Sequence, residues 1–336
     1  IINKKENMKN ITKTLLVLVS SFAISFAATA GELTISGAAK ASYVIGGAGD
    51  SQSKGIGVGN ELNATASGEM DNGFTWSYST ELDPADGGTA TNDDSQLVIG
   101  MGDMGTIGFF DSEGGLSQEL GYGIGALGTG YDWGSTMTVQ AGLDVSSHPN
   151  IQYHLPADLL PYSTTFAVGV TPGGAGGSAN ASSHAVNGDT TGDMTQYKLT
   201  TAPIDGLSVQ ASYYSFGEMG AGDNRQEAEG GSLSANYSIG QFSLGYGETR
   251  HAPAQAMNGA AATDKTDYYD NTGYSIGFAV NDNLSVSFTE ENSEINRKSK
   301  ATATDAITRS DVEMEIQTID IAYTMGGATF SVSTSD

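Results

Sequence analysis

From Leu33 to the end of the chain, apolar and polar side chains alternate one for one in short runs, separated by breaks rich in Gly, Asp and Asn. Leu33, Ile35, Ala39, Ala41, Tyr43 and Ile45 share one phase; Thr34, Ser36, Lys40 and Ser42 share the other. Phe74, Trp76, Tyr78 and Leu82 alternate in the same way with Thr75, Ser77, Ser79, Glu81 and Asp83. A period of two is the signature of strands with one apolar and one polar face. The pattern predicts strands at 32–45, 56–70, 73–83, 95–102, 106–111, 150–155, 163–170, 194–201, 206–215, 229–238, 241–249, 271–280, 284–291, 312–324 and 328–336.

The breaks alternate in length. Short ones, such as Asp71-Asn72-Gly73, Ile239-Gly240 and Asn281-Asp282-Asn283, have tight-turn composition, because Gly and Asn accept positive φ. Long ones fall at 84–94, 112–149, 171–193, 216–228, 250–270 and 292–311. Met137, Val139, Ala141, Leu143 and Val145 alternate within 112–149, but a single extra strand there would invert the order of every later break, so this run is read as one loop. Short turns at one end and long loops at the other are the organisation of an outer-membrane barrel, whose apolar face meets lipid while its polar face lines a lumen. A soluble sandwich has no reason to keep this order. Tyr43, Phe74, Tyr197, Tyr213, Tyr237, Phe242, Tyr246, Tyr274, Phe278, Phe288, Tyr323 and Phe330 all lie on the apolar phase, as interfacial aromatic girdles require. Lys40 and Lys198 lie on the polar phase, which avoids the roughly 2–4 kcal/mol cost of a midplane lysine in lipid.

The first residues change the compartment. Met8 precedes Lys9 and Lys13, an apolar run from Leu15 to Phe26, and Ala28-Thr29-Ala30, which together form a secretory signal peptide. Cleavage is expected between Ala30 and Gly31, with Ile1 to Asn7 read as an over-extended frame. The domains are then 1–30, upstream residues and signal peptide, and 31–336, the barrel. There is no cysteine, so disulfides do not hold the exported chain together. A hydrophobic fraction of 38% with 46 glycines is poor for an ordinary core but suits a wall whose interior is wet.

The chain carries 14 Lys/Arg against 39 Asp/Glu. Four of those bases and one acid precede the cleavage point, leaving the mature protein 28 more acids than bases. Such a charge excludes nucleic acid as a partner and attracts cations. Carboxylates on the polar phase, Glu61, Glu69, Glu81, Asp83 and Asp320, point to a lumen. Asp111, Glu113, Glu119, Asp132 and Asp144 lie in or beside 112–149. Clusters of acid in a pore favour cations. Asp93-Asp94, Asp189–Asp193 and Asp264/Asp267/Asp270 are oxygen-rich enough for Ca²⁺ but lack a defined ligand loop. No other cofactor is expected. Gly123-Ile124-Gly125-Ala126-Leu127-Gly128 fits a dinucleotide fingerprint without the flanking helix that site needs. His148, His154, His184 and His251 show no ligand spacing, and no catalytic residues are identified.

The mature start Gly31-Glu32-Leu33-Thr34-Ile35-Ser36-Gly37 resembles the first strand of general Gram-negative porins, especially those of alphaproteobacterial type. Met104-Gly105-Thr106-Ile107-Gly108-Phe109-Phe110-Asp111, running into a long loop, resembles the strand before their third loop, and Asn150-Ile151-Gln152-Tyr153 resembles the exit from it. The resemblance implies an all-β transmembrane antiparallel barrel of sixteen strands and a homotrimer in the outer membrane, among lipid and lipopolysaccharide. It implies a water-filled pore for passive diffusion of small hydrophilic solutes and ions, with 112–149 as the constriction loop. The expected pore-lining residues are Asp111, Glu113, Glu119, Asp132, Lys40, Lys198, Glu61 and Glu81. Fourteen strands and the start of a fifteenth are legible. Bacterial barrels have even strand numbers and lipid tolerates no open edge, so a truncation at the C-terminus is expected. A non-channel barrel, such as an adhesin, and a secreted soluble β-protein stay open as alternatives.

Overall fold

The computed structural model describes residues 32–44, 55–84, 90–110, 116, 150–171, 193–217, 225–252, 255–256, 265–299, 308–325 and 328–335. The chain divides into two compact units, Ile1–Asp111 and Ser112–Asp336. The first unit is an antiparallel meander of β1 (Glu32–Val44), β2 (Gly55–Glu69), β3 (Thr75–Pro84), β4 (Ala90–Gly100) and β5 (Thr106–Phe110). A 3₁₀ turn, Gly102–Met104, joins the last two.

The second unit holds β6 (Asn150–His154), β7 (Thr165–Thr171), β8 (Met194–Ile204), β9 (Leu207–Phe216), β10 (Arg225–Gln226), β11 (Glu229–Ile239), β12 (Phe242–Ala252), β13 (Gln255–Ala256), β14 (Lys265–Asn281), β15 (Leu284–Ser299), β16 (Thr308–Met325) and β17 (Ala328–Ser335). Ten of these pair antiparallel with their neighbours in chain order, while β10 and β13 pair with each other.

The two faces of these sheets are inverted relative to a protein that folds in water. Leu33 is 66% exposed, Ile319 50% and Phe330 62%, whereas Glu291, Ser293 and Gln196 are 0% exposed. On β16, Ile319, Ile321 and Tyr323 are exposed, and the alternate positions Thr318, Asp320 and Ala322 are buried. On β14, Tyr274 and Ile276 are exposed and Ser275 is buried. Leaving such side chains in water forfeits about 1.5–3 kcal/mol each. The arrangement is stable only where the solvent outside the wall is itself apolar, and strands can meet that condition because every interior ladder bond is made within the wall.

The apolar band does not follow a register row. One row reads Tyr153, Val168, Tyr197, Tyr213, Gly231, Arg250, Asp270, Glu294 and Glu313. It is apolar and aromatic on β6–β9 and charged on β12–β16. Six residues nearer the short turns, Leu207, Tyr237, Leu244, Ile276, Phe288 and Ile319 are all apolar. The band therefore steps along the strands from one to the next. That stagger is what tilted strands produce as they cross a slab of fixed thickness. Above the band, Arg250 pairs with Asp270 at 3.0 Å and lies 4.2 Å from the centre of the Tyr268 ring.

Short turns fix the register. Asn281 Oδ1 accepts from the backbone N–H of Asn283 (2.9 Å) and Leu284 (3.0 Å), an Asx turn that closes the β14–β15 hairpin. Gly206 closes β8–β9 at φ 76°, and its carbonyl accepts from Ser238 N–H at 2.8 Å. A Cβ at Gly206 would lie 2.3 Å from Ser238 O. Gly206→Ala should therefore destabilise the folded wall by more than the roughly 1–2 kcal/mol that left-handed backbone costs an L-residue. Urea-induced unfolding in detergent, followed by tryptophan fluorescence, checks this; an unchanged midpoint would rule out the tight approach.

The structure corrects several predicted boundaries. β4 begins at Ala90, not at 95, and β14 begins at Lys265, not at 271. β15 runs on to Ser299 and β16 starts at Thr308. Large parts of 84–94, 250–270 and 292–311 are thus strand and not loop. On β15 beyond Phe288 the outward phase carries Glu290, Asn292 and Glu294 against inward Glu291 and Ser293, so the contrast between faces is lost while the ladder continues; on β16 it inverts at Glu313 and Glu315, whose inward neighbours are Met314 and Ile316. The signal peptide and its cleavage point lie outside the described residues.

Candidate functional site

The polar face is the site, because it is where this fold gathers its hydrogen-bonding groups. On β6, Asn150, Gln152 and His154 follow one another at two-residue spacing on that face. Gln152 Nε2 donates to Asn150 Oδ1 at 2.8 Å, and Gln152 Oε1 lies 2.9 Å from His154 Nε2. Register carries the face on through Ala167 and Gly169 of β7 to Gln196 and Lys198 of β8 and Ser212 of β9. Ser212 is hydrogen-bonded to Ser232. Asn271 Nδ2 donates to Thr249 Oγ1 at 2.9 Å, and Asn271 Oδ1 accepts from Ser293. Ser275 and Thr289 share a 2.9 Å hydroxyl contact. Cross-strand pairs of this kind knit the wall from its polar side.

Charge on this face is sparse and segregated. Lys198 is half-buried and shares a register row with His154, with Ala167 between them. The carboxylates Glu291 and Asp320 lie on β15 and β16 and are buried. Between these groups, the described residues of β9, β11 and β12 present Ser, Gln, Asn, Thr, Gly and aromatic side chains on that face, with no acid or base until His251. A cluster of Met194, Tyr214, Phe216 and Ala228 closes one end of the face, with Tyr214 hydrogen-bonded to His251.

One residue of the long run between β5 and β6 is described. Leu116 is 4% exposed, and its backbone N–H donates to Gln196 Oε1 at 2.8 Å. It sits on the polar face.

The residues singled out from the sequence fare differently. Asp111, Glu113, Glu119 and Asp132 lie outside the described residues. The backbone register places Lys40 opposite Gly59 and Glu61 opposite Ala38, on the same face as Ser36 and Asn63. Glu81 is half-buried, opposite Asn63, beside a bulge between Thr80 and Leu82. Lys198 lies on the polar face, as its phase demands. The acidic groups weighed for Ca²⁺ require a correction: Asp267 and Asp270 belong to β14, not to a loop, and Asp270 is held by Arg250. Among the described residues no group of three or more His, Asp or Glu is placed to hold a metal ion. Sequence reading passed over Asn150, Gln152 and Gln196, which carry no charge. Their phase relative to Lys198 and Tyr197 is the signal that would have found them.

Residues 14–329 match the family of Gram-negative porins. Comparison with curated sequences finds no significant match. Among solved structures, the chain resembles a loop L8 deletion mutant of OmpT, an outer membrane protein of Vibrio cholerae. Identity is 14%, with 92% of this chain and 95% of that chain covered at a TM-score of 0.56. It resembles Salmonella typhi OmpF in complex with daunomycin at 14% identity, covering 88% and 87%, with a TM-score of 0.56. The in-vitro folded trimer form of Vibrio cholerae OmpT aligns at 12% identity over 92% and 89%, again with a TM-score of 0.56. At these identities the likeness is one of fold, and the fold is the transmembrane β-barrel that the inverted faces demand. The chain belongs to the Gram-negative porin family and is an outer-membrane β-barrel protein.

Proposed function

We propose that this porin is a water-filled channel for passive diffusion of small hydrophilic solutes and ions, that it prefers cations, and that it works as a homotrimer. The observation that carries the channel reading is the inverted wall: an apolar surface for lipid, and a continuous hydrogen-bonding face that offers water and polar solutes partners along its length. Few fixed charges lie on that face, so permeation is governed by size and by the acid-rich run between β5 and β6. The trimer rests on the fold shared with the trimer form of Vibrio cholerae OmpT. Asp111, Glu113, Glu119 and Asp132 act at the constriction in this reading, and Lys40, Lys198, Glu61 and Glu81 line the wall. Lipid and lipopolysaccharide surround the apolar band.

Lys198 gives the test. In this cysteine-free chain, Lys198→Cys and Lys40→Cys each introduce a single thiol. Reconstituted in planar bilayers, both variants should conduct, and a charged thiol reagent added to the aqueous phase should label them and reduce the current. Conductance without labelling would defeat the wall assignment. Absence of any conductance in the unmodified protein would favour a non-channel barrel.

A further inference from the structure

Residues 31–336 hold ten Lys and Arg, and three of these are consecutive neighbours in one register row: Lys265 of β14, Lys298 of β15 and Arg309 of β16. The row shares the outward phase of Glu294 and Glu313 and lies at the end of these strands remote from the short turns. Beyond the apolar row of Ile276, Phe288 and Ile319, that phase passes through Glu290, Glu315, Asp270, Glu294, Glu313 and Asp311 before it turns wholly basic. A β-bulge builds the basic row. Asp267 is an extra residue between Thr266 and Tyr268, and without it Thr266 would stand opposite Lys298. Gln226 of β10 holds the bulge, its Nε2 donating to the backbone carbonyls of Thr266 (3.3 Å) and Asp267 (2.9 Å).

Like charges directly opposite one another destabilise a ladder, so three bases in a row favour an anionic occupant. Arg309 stands about 13 Å along β16 from Glu313, beyond the screening length of about 8 Å at physiological salt. Asp311, on the same phase, is a single acid beside three bases. Height selects the occupant. Lys298 lies ten residues past Phe288 on β15, about 25 Å above the apolar row for strands tilted near 40°. The headgroup layer adds only about 5–7 Å to the hydrocarbon core, so the row stands above it, where the saccharide of an outer-leaflet glycolipid runs beside the wall.

We propose that Lys265, Lys298 and Arg309 form a docking row for the anionic core saccharide of the surrounding lipopolysaccharide, binding its charged groups directly rather than through divalent cations. Ammonium and guanidinium groups do this by charge-assisted hydrogen bonds. The inference rests on lipopolysaccharide as the partner of this protein, and not on the channel reading. The test is calorimetric titration of the full chain, folded in detergent with EDTA present, against lipopolysaccharide with a phosphorylated core. Lys265→Gln/Lys298→Gln/Arg309→Gln should weaken binding at least tenfold, with heat-modifiable gel migration unchanged. Lys265→Arg/Lys298→Arg and the lumenal Lys198→Gln should bind as the unmodified protein does. Lipopolysaccharide trimmed to lipid A and Kdo should not distinguish the triple variant from the unmodified protein. Binding that needs divalent cations, or equal affinity for dextran sulfate, would overturn the row. Full affinity in the triple variant would sink the row alone, whereas no binding to the unmodified protein would sink the partner reading and the row together.

Discussion

Ile276→Arg is expected to destabilise this protein by about 2–4 kcal/mol, the cost of an arginine on the lipid face at bilayer midplane. Ile276 is 45% exposed, and its register neighbours Leu244 and Phe288 are apolar. Tyr274, Phe278 and Val280 extend the same outward phase on β14, so the position lies inside the band rather than at its rim. In water, an exposed isoleucine is an innocuous site for arginine, so the sign of this effect separates the two solvents. Gln210→Arg supplies the contrast. It occupies the polar face of β9, between the outward-phase positions Val209 and Ala211, and faces Thr200 and Ser234 across the ladder. There an arginine head meets water and neutral polar groups, and the expected loss is under about 1 kcal/mol. Equilibrium unfolding of lipid-reconstituted protein in guanidinium measures both. If the two variants lose stability equally, the apolar face is not in lipid and the barrel reading fails.

The same solvent inversion explains what could and could not be read from the sequence. Where one face is Ile, Tyr or Phe and the other small or polar, as on 271–280 and 318–324, alternation is unmistakable and the strands are legible. Above the band the signal disappears without the structure changing. Glu290, Asn292 and Glu294 continue the outward phase of β15 after Phe288, and their alternates Glu291 and Ser293 are polar as well. Period-two reading needs contrast between faces, whereas the ladder needs only backbone, so β14, β15 and β16 outrun their hydrophobic pattern. The polar face was legible in phase but not in detail. Lys198 stood out by its charge, and Gln196, two residues earlier on the same face, did not. The contact between Leu116 and Gly169 spans two segments that no local pattern connects. A glycine in a strand signals close approach of something, without saying what.

Under a KCl gradient the unmodified channel is expected to show a reversal potential of cation-selective sign, growing as the salt is diluted. Residues 31–336 carry 28 more acids than bases, and the described polar face of the second unit carries one lysine, Lys198. A permeating cation is attracted by this distribution and an anion repelled. Distance decides which charges matter, because screening reduces interactions beyond about 8 Å at physiological salt. Acids in the run between β5 and β6, on the proposed reading, should therefore dominate over acids on the far side of the wall. Neutralising Asp111, Glu113, Glu119 and Asp132 to Asn or Gln should remove most of the preference. Neutralising Glu313 and Glu315, exposed on the outward phase of β16, should leave it nearly intact. Lys198→Gln should strengthen it, since it removes a positive charge from the lumen. Anion preference in the unmodified protein would sink the charge argument. Equal effects from the two acidic sets would sink the placement of Asp111, Glu113, Glu119 and Asp132 in the pore, because charges separated from the ion by the wall and by screening cannot act as strongly as charges beside it.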